Sequence, residues 1–155
     1  MPMPKEYLFE IPGAPRGQAR ARATTHKIRL ANGREKWVGR VHKDKKQQLE
    51  EDKLGWQIAR SAPGTPHTGK VTLMVVAYYP IPESWPKKKK AAALAGTLAP
   101  LKVKPDLSNI VKHIEDVMQG MFFVDDKQIC AETAAKHYSS SPRVKIVLLC
   151  EDAEG

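Results

Sequence analysis

Three aspartates and one lysine in the second half of the chain have residue types and spacing that suit metal-dependent hydrolysis of phosphodiesters. Asp106 stands at the start of a predicted amphipathic helix, and Lys112 follows six residues later on its polar side. Asp125 and Asp126 come between this helix and the next predicted strand. Carboxylate oxygens are preferred ligands of Mg²⁺ and Mn²⁺, and a bound ion can orient water and promote its deprotonation. A nearby lysine can then stabilise charge on a phosphate oxygen or the leaving group.

Each of these residues also has a simpler structural interpretation. Asp106 is suited to capping the helix, the Asp125–Asp126 pair is typical of a turn, and Lys112 is compatible with an ordinary surface lysine. The helix is about 21 Å long. Asp126 therefore approaches Asp106 only if the following strand runs back or the intervening residues curl, and the sequence leaves this open.

The helices and strands that must position these residues can be predicted from the sequence. Their order indicates an α+β domain, with a small mixed β-sheet packed against helices. Apolar residues recur at helical spacing through residues 106–119 and define one buried stripe. We expect strands at 7–11, 71–79, 128–138 and 143–150, helices at 43–60 and 106–119, a short helix capped by Ser84 through 95, and a loop from Pro12 to Arg22. We expect one domain over residues 1–155, with a core of about 7–150 and flexible termini.

Composition and charge narrow the class of protein. The chain has 155 residues, of which 41% are hydrophobic, so a packed core is feasible and wholesale disorder is excluded. The formal net charge is +9, and residues 1–105 carry the positive excess, whereas residues 106–155 are net acidic. A basic body indicates a polyanionic partner, most often nucleic acid, with a merely solvated basic surface as the alternative. Because no apolar run reaches membrane-spanning or signal-peptide length, we expect a cytoplasmic protein without a membrane partner.

The cysteines and histidines offer no chemistry of their own. Cys130 and Cys150 have no metal-binding spacing, so we expect both to be reduced core residues. The five histidines lack ligand spacing, and we expect each to be a surface or incidental residue. Trp85, which precedes the lysine run, is expected to pack more readily than to stack on a base.

Two blocks of the sequence resemble the signature of the RusA family of Holliday junction resolvases. The first reads K-P-D-L-S-N-I-V-K from Lys104 to Lys112, and the second reads F-V-D-D-K-Q-I from Phe123 to Ile129. The family pattern is K-P-D-x-D-N-x-x-K, followed about one helix length later by D-D-x-Q-[IV]. The I-P-G at 11–13 with the arginines after it, and the segment 81–90, also resemble family segments, so the similarity covers most of residues 7–150.

The resemblance implies a small endonuclease that acts as a homodimer on four-way DNA junctions and makes paired symmetric nicks in recombination and repair, in a bacterial or phage-infected cell. It implies catalytic and metal-binding roles for Asp106, Asp126 and the neighbouring Asp125, with Lys112 as the catalytic lysine. The implied cofactor is Mg²⁺, with Mn²⁺ as a substitute. Contacts to the DNA backbone are expected from basic residues: Arg16, Arg20, Arg22, Lys87, Lys88, Lys89, Lys90 and Lys104.

One position departs from the family pattern in a way that affects the chemistry. Ser108 stands where the family has a second aspartate, and a neutral hydroxyl is a weaker Mg²⁺ ligand than a carboxylate. Gln18 and Ala21 are smaller departures in the N-terminal loop. The alternatives to an active resolvase are therefore a junction-binding protein of the same fold with weakened or lost catalysis, a nuclease for another branched or flap substrate, and a basic module without junction preference.

Overall fold

The protein is described by a computed structural model that covers residues 3–17, 22–42 and 45–153. The elements in chain order are β1 (Lys5–Pro12), β2 (Arg22–Arg29), β3 (Glu35–His42), α1 (Lys45–Ala59), β4 (Val71–Pro80), α2 (Lys87–Leu94), α3 (Leu107–Met118), a short 3-10 helix (Asp126–Gln128), β5 (Ile129–Ser139) and β6 (Arg143–Cys150). They confirm the predicted α+β class with a small mixed sheet. The limits 1–155 for a single domain stay a prediction.

The main sheet has four strands in the order β1-β6-β4-β5. β6 pairs antiparallel with both β1 and β4, whereas β4 and β5 are parallel. Parallel strands need a crossover connection, and here that connection contains α2 and α3. β4 lies between two neighbours, which explains why its apolar run is so rich in β-branched and aromatic residues.

The core lies between one face of this sheet and helices α1 and α3. Alternate residues of β4 and β6 are buried, as the side-chain period of a strand requires. The buried stripe of α3 consists of Ile110, Val111, Ile114 and Met118, and α1 contributes Leu54 and Ile58. Helix α3 is therefore fixed by its apolar side, which leaves its polar side to carry chemistry. None of the helices in the described ranges has the length and apolarity needed to cross a membrane.

The structure corrects several expectations. Residues 22–42 contain an antiparallel hairpin, β2–β3, that forms a separate two-stranded sheet and was not predicted. The sequences of its strands lack the apolar alternation by which half-buried strands are recognised. The N-cap of α2 is Pro86 and makes no side-chain hydrogen bond, so the predicted cap at Ser84 is wrong.

The polar and sulfur-containing residues also differ from expectation. Cys150 is buried as predicted, but Cys130 is exposed on β5, an edge strand of the sheet, and both are free thiols. His67 and His113 are buried, so these two histidines are not surface residues. Trp85 packs edge to face on Tyr138 of β5, with ring centroids 5.3 Å apart, which confirms its packing role.

Candidate active site

Lys112 and Asp126 meet because the chain folds back after α3. Gly120 adopts φ +84°, and its N–H donates to the carbonyl of Phe123 at 2.7 Å. Phe122 and Phe123 are fully buried and anchor the returning segment against the core. This curl brings an Asp126 carboxylate oxygen to 3.8 Å from the Lys112 Nζ. The sequence left two ways open for Asp126 to approach Asp106, a curl or a strand that runs back. The structure shows a curl that brings Asp126 to Lys112, after which β5 runs back beside α3, with Ala134 lining the same groove as Ser108. An approach of Asp126 to Asp106 stays a prediction.

A second carboxylate holds the lysine in its charged form. Asp116 lies one turn further along α3, with its Oδ1 3.4 Å from the Lys112 Nζ. Its negative charge and hydrogen bond are the main causes that raise the pKa of Lys112 above its ordinary value. The side chain remains half exposed. Lys112 is therefore an ammonium at neutral pH that can still reach a phosphate.

Asp106 provides the backbone N-cap of α3 but keeps its side chain out of the cap. Its carbonyl accepts from the N–H groups of Asn109 and Ile110, at 3.0 and 3.1 Å, while its carboxylate makes no capping hydrogen bond. The interpretation of Asp106 as a side-chain cap is therefore wrong. The Asp106 side chain is exposed. The backbone of Asp106 lies about 9 Å along the helix axis from the backbone of Lys112.

Tyr79 supports the Asp106 position from the buried end of β4. Its hydroxyl donates to the carbonyl of Pro105 at 2.5 Å. Burial, together with the negative charge of Asp106, raises the pKa of Tyr79 to about 12. The phenol therefore stays protonated and keeps donating to the residue just before Asp106.

Asp125 is used mainly to shape the backbone. Its carboxylate accepts from the Lys127 N–H at 2.9 Å and caps the short 3-10 helix. That hydrogen bond, followed by a side-chain hydrogen bond shared with Asp126, lowers the pKa of Asp125 below its ordinary value. Asp125 thus fixes the turn that presents Asp126, in agreement with the interpretation of the pair as a turn.

Gln128 joins the returning segment to the start of β4, a role that the sequence analysis did not assign. Its side-chain oxygen accepts from the N–H groups of Val124 and Asp125, both at 2.9 Å. Its side-chain nitrogen donates to the carbonyls of His67 and Gly69, also at 2.9 Å. One amide therefore makes four hydrogen bonds that hold the segment carrying both aspartates.

His67 extends this support to β1 and the C-terminal segment. Its Nε2 lies 2.8 Å from the Tyr7 hydroxyl, and its Nδ1 lies 3.0 Å from the Asp152 Oδ1. Its backbone N–H also donates to the carbonyl of Phe122 at 2.8 Å. Tyr7 and Asp152 lie 60 and 85 residues away from His67 in the chain, so no local spacing could have revealed them.

Two further carboxylates lie on the same side of α3 as Lys112. Glu115 shares a hydrogen bond with Glu132 of β5. Burial, followed by that hydrogen bond and the charge of Glu132, raises the pKa of Glu115 to about 7. An open groove on this side is lined by Leu107, Ser108, Val111, Lys112, Glu115, Glu132 and Ala134. The helical spacing of 108, 112 and 115 is the signal that could have found Glu115.

The predicted metal ligands Asp106, Asp125 and Asp126 have the carboxylate oxygens that Mg²⁺ prefers, but the described part of the chain does not group them into a ready site. Among the described residues, no three His, Cys, Asp or Glu side chains form a ready cluster for a metal. Mg²⁺ is usually bound by one or two carboxylates together with waters and substrate phosphates. Asp106, Asp126 and the Ser108 hydroxyl offer hard oxygen donors of this kind.

The predicted DNA-binding residues lie on several elements. Arg16 and Lys104 are exposed, and so are Lys87, Lys88 and Lys89 on α2, while Lys90 is partly buried. The Lys89 Nζ lies 3.9 Å from the centre of the Trp85 ring. Arg20 lies outside the described residues, and of Arg22 only the backbone, at the start of β2, is described.

The loop that carries Arg16 contacts the start of α3. A Cβ added at Gly17 would lie 2.6 Å from the Pro105 Cβ and 3.1 Å from the Asn109 Cβ. Only a residue without a side chain fits so closely at this point. The close approach places the N-terminal loop beside Asp106.

Comparison with known proteins agrees with this geometry. The family model described as "Endodeoxyribonuclease RusA" matches residues 12–148. The uncharacterized protein YqaN of Bacillus subtilis (strain 168) is 39% identical over 88 residues, which cover 56% of this chain and 61% of YqaN. That alignment therefore spans less than two thirds of the relative's length.

Proposed function

Because this chain belongs to the RusA family of endodeoxyribonucleases, we propose that it resolves four-way DNA junctions by paired, metal-dependent cleavage of phosphodiester bonds. The observation that carries the proposal is the ion pair between the Lys112 Nζ and the Asp126 carboxylate, 3.8 Å apart. This ion pair connects the block that ends at Lys112 with the block that contains Asp126. The groove beside it, lined by Ser108 and Lys112, is open to a substrate.

In this mechanism, Asp106 and Asp126 would hold Mg²⁺, or Mn²⁺ in its place, and Asp125 keeps the Asp126 turn in position. A bound ion would supply activation of a water and stabilisation of the charge that develops in an in-line displacement. Lys112 presents an ammonium to a phosphate oxygen or to the leaving group, where a fixed charge stabilises the transition state. The nearby aspartates keep that ammonium protonated.

Binding of the DNA backbone falls to the exposed cations around this site. Arg16 lies on the loop that contacts the start of α3, and Lys104 immediately precedes Pro105. The lysines 87–90 of α2 extend the basic surface. Phosphate contacts position DNA without reading its sequence, so recognition of branched shape is expected.

A homodimer follows from the symmetry of the substrate. A four-way junction is approximately two-fold symmetric, and a C2 dimer would present one site to each of two strands. Leu94 and Leu101 are exposed, at 59% and 78%, and belong to the apolar surface available for such a contact. Sedimentation of the free protein and of its junction complex tests this part of the proposal.

A second function is favoured by one residue. Ser108 removes a carboxylate that the family pattern contains, and the described residues hold no preformed three-ligand cluster. The competing proposal is a junction-binding protein of the same fold that binds without cutting. It predicts equal junction binding in Mg²⁺ and in EDTA, with no nicks in any divalent metal.

Cleavage of a synthetic four-way junction, beside a linear duplex of the same arm sequence, separates these functions. Wild-type protein should make paired nicks with Mg²⁺ or Mn²⁺ and none in EDTA, and Asp126→Asn should abolish them. Glu6→Gln is the matched control, because Glu6 is an exposed carboxylate on the edge strand β1. Tight junction binding with no nicks would instead support the binding protein, and equal affinity for duplex and junction would reject both.

A further inference from the structure

The β2–β3 hairpin is separate from the core sheet, and its outer part, residues 27–37, is exposed. It forms its own two-stranded sheet, and every residue from Lys27 to Trp37 is exposed. An isolated two-stranded hairpin is marginally stable in water. A segment of this kind gains order from a partner that lies against it.

The charge of the hairpin identifies the chemistry of that partner. Residues 27–37 contain four cations, Lys27, Arg29, Arg34 and Lys36, and one acid, Glu35. Glu35 forms an ion pair with Lys27 and offsets only that charge. The remaining excess of positive charge matches a polyanion such as a nucleic acid backbone.

Trp37 adds an aromatic surface to this basic ribbon. It is 66% exposed and pairs across the strands with Lys27, whose Nζ lies 5.9 Å from the ring centroid. Exposed aromatic rings between cations are the pattern by which proteins stack unpaired bases and follow the backbone. Base pairs at the branch point of a junction are the ones most open to such stacking.

The position of the hairpin in the chain connects it to the candidate active site. Gly17 touches Pro105 and Asn109 at the start of α3, and β2 begins five residues later, at Arg22. Five residues span at most about 18 Å, so the base of the hairpin lies near the site. Strands of eight residues extend about 27 Å, enough to reach DNA flanking the bond to be cut.

We propose that the β2–β3 hairpin is a DNA-binding arm, in which Arg29, Arg34 and Lys36 contact phosphates and Trp37 stacks on a base at the branch point. This inference rests on the proposed function, because it takes junction DNA as the ligand. The inference adds a DNA-binding element that lies outside both the sequence motifs and the proposed catalytic groups.

Intrinsic fluorescence of Trp37 tests the arm directly. The double variant Trp56→Phe/Trp85→Phe leaves Trp37 as the single indole, since the chain has three tryptophans. A dye-labelled four-way junction, in EDTA to prevent cleavage, reports binding by its own anisotropy. We expect binding to quench Trp37 emission and to reduce its quenching by acrylamide at least two-fold, with a smaller change on linear duplex.

The outcomes separate the arm from the proposed function. Junction binding that leaves Trp37 emission and acrylamide quenching unchanged overturns the arm and leaves the function intact. If the junction does not bind at all, both are overturned. Emission that changes with protein concentration in the absence of DNA would instead place a second copy of the chain on the hairpin and reject the DNA assignment.

Charge removal gives an independent measurement. Arg34→Gln/Lys36→Gln is compared with Lys5→Gln/Lys145→Gln, a matched pair of exposed lysines on β1 and β6. Removing one cation that neutralises a phosphate reduces the slope of log K against log salt by about 0.9. We expect the hairpin variant to lower the slope by about 1–2 and to weaken binding at least ten-fold in moderate salt. Equal slopes for the two double variants would refute the arm.

Discussion

Substitution of Gln128 by leucine should destabilise the protein and disable the site at the same time. The Gln128 amide makes four hydrogen bonds, each 2.9 Å long, to the backbone of residues 67, 69, 124 and 125. A leucine of similar size makes none of them. The N–H and carbonyl groups left behind are part of the segment that presents Asp126.

The expected cost follows from these four bonds. A hydrogen bond contributes about 0.5–1.5 kcal/mol net to stability, which gives about 2–6 kcal/mol for the set of four, with a central value of about 4 kcal/mol. The bond to Val124 is exposed, so water can replace part of this stabilisation. We therefore expect a loss of about 2–3 kcal/mol and, for a domain of this size, a fall in Tm of about 5–10 °C.

Urea and thermal unfolding measure the loss, and junction cleavage below the transition measures its effect on the site. Gln57→Leu is the matched control, because Gln57 is an exposed residue of α1 and glutamine and leucine have similar helix propensities. The control should change stability by less than about 0.5 kcal/mol. A loss below about 1 kcal/mol for Gln128→Leu, or full cleavage activity in that variant, would refute the reasoning.

Three further predictions follow from other contacts. Ser108→Asp adds a carboxylate in the groove beside Lys112, so the Mg²⁺ concentration for half-maximal cleavage should fall several-fold; an unchanged Mg²⁺ titration would exclude Ser108 from the metal site. The pKa of Glu115 is raised to about 7 in the folded protein. The protonated Glu115 therefore contributes stability that is fully present below about pH 4.5 and is lost as the pH rises through 7. Glu115→Gln should remove that loss, because the glutamine amide carries no charge and can still donate to Glu132. Allowing for partial exposure, we expect the free energy of unfolding to rise by about 1–2 kcal/mol at pH 8 and to be unchanged near pH 4. Equal gains at both pH values in urea unfolding would contradict this. Gly17→Ala places a Cβ 2.6 Å from that of Pro105 and should reduce cleavage at least ten-fold, whereas Gly64→Ala, with nothing within 4 Å of its added Cβ, should not; equal rates for these two variants would show that the loop contact is dispensable.

The elements that could be predicted are those whose own residues face the core. Helix α3 has its apolar residues at helical spacing, and β4 and β6 are apolar runs. The burial of these elements can therefore be predicted from their own residues. The outer part of the β2–β3 hairpin, residues 27–37, is exposed, and the hairpin's sequence lacks the alternation that identifies a half-buried strand.

The site was predictable in its residue types but not in its assembly. The motif identified Asp106, Lys112 and Asp126, yet the approach of Asp126 to Lys112 depends on the curl through Gly120 and on two buried phenylalanines. Gln128 and His67 act through backbone groups and through partners far away in the chain. Such contacts exist only once the tertiary structure has formed.

The place of β6 between β1 and β4 sets an order on folding during synthesis. The ribosome releases β1 first, but β1 has no neighbour in the sheet until residues 143–150 have emerged. The Asp152 contact to His67 forms later still. A nascent or truncated chain that lacks β6 therefore contains the candidate aspartates on an incomplete scaffold, and the proposed nuclease activity should arise only after β6 has been translated and inserted.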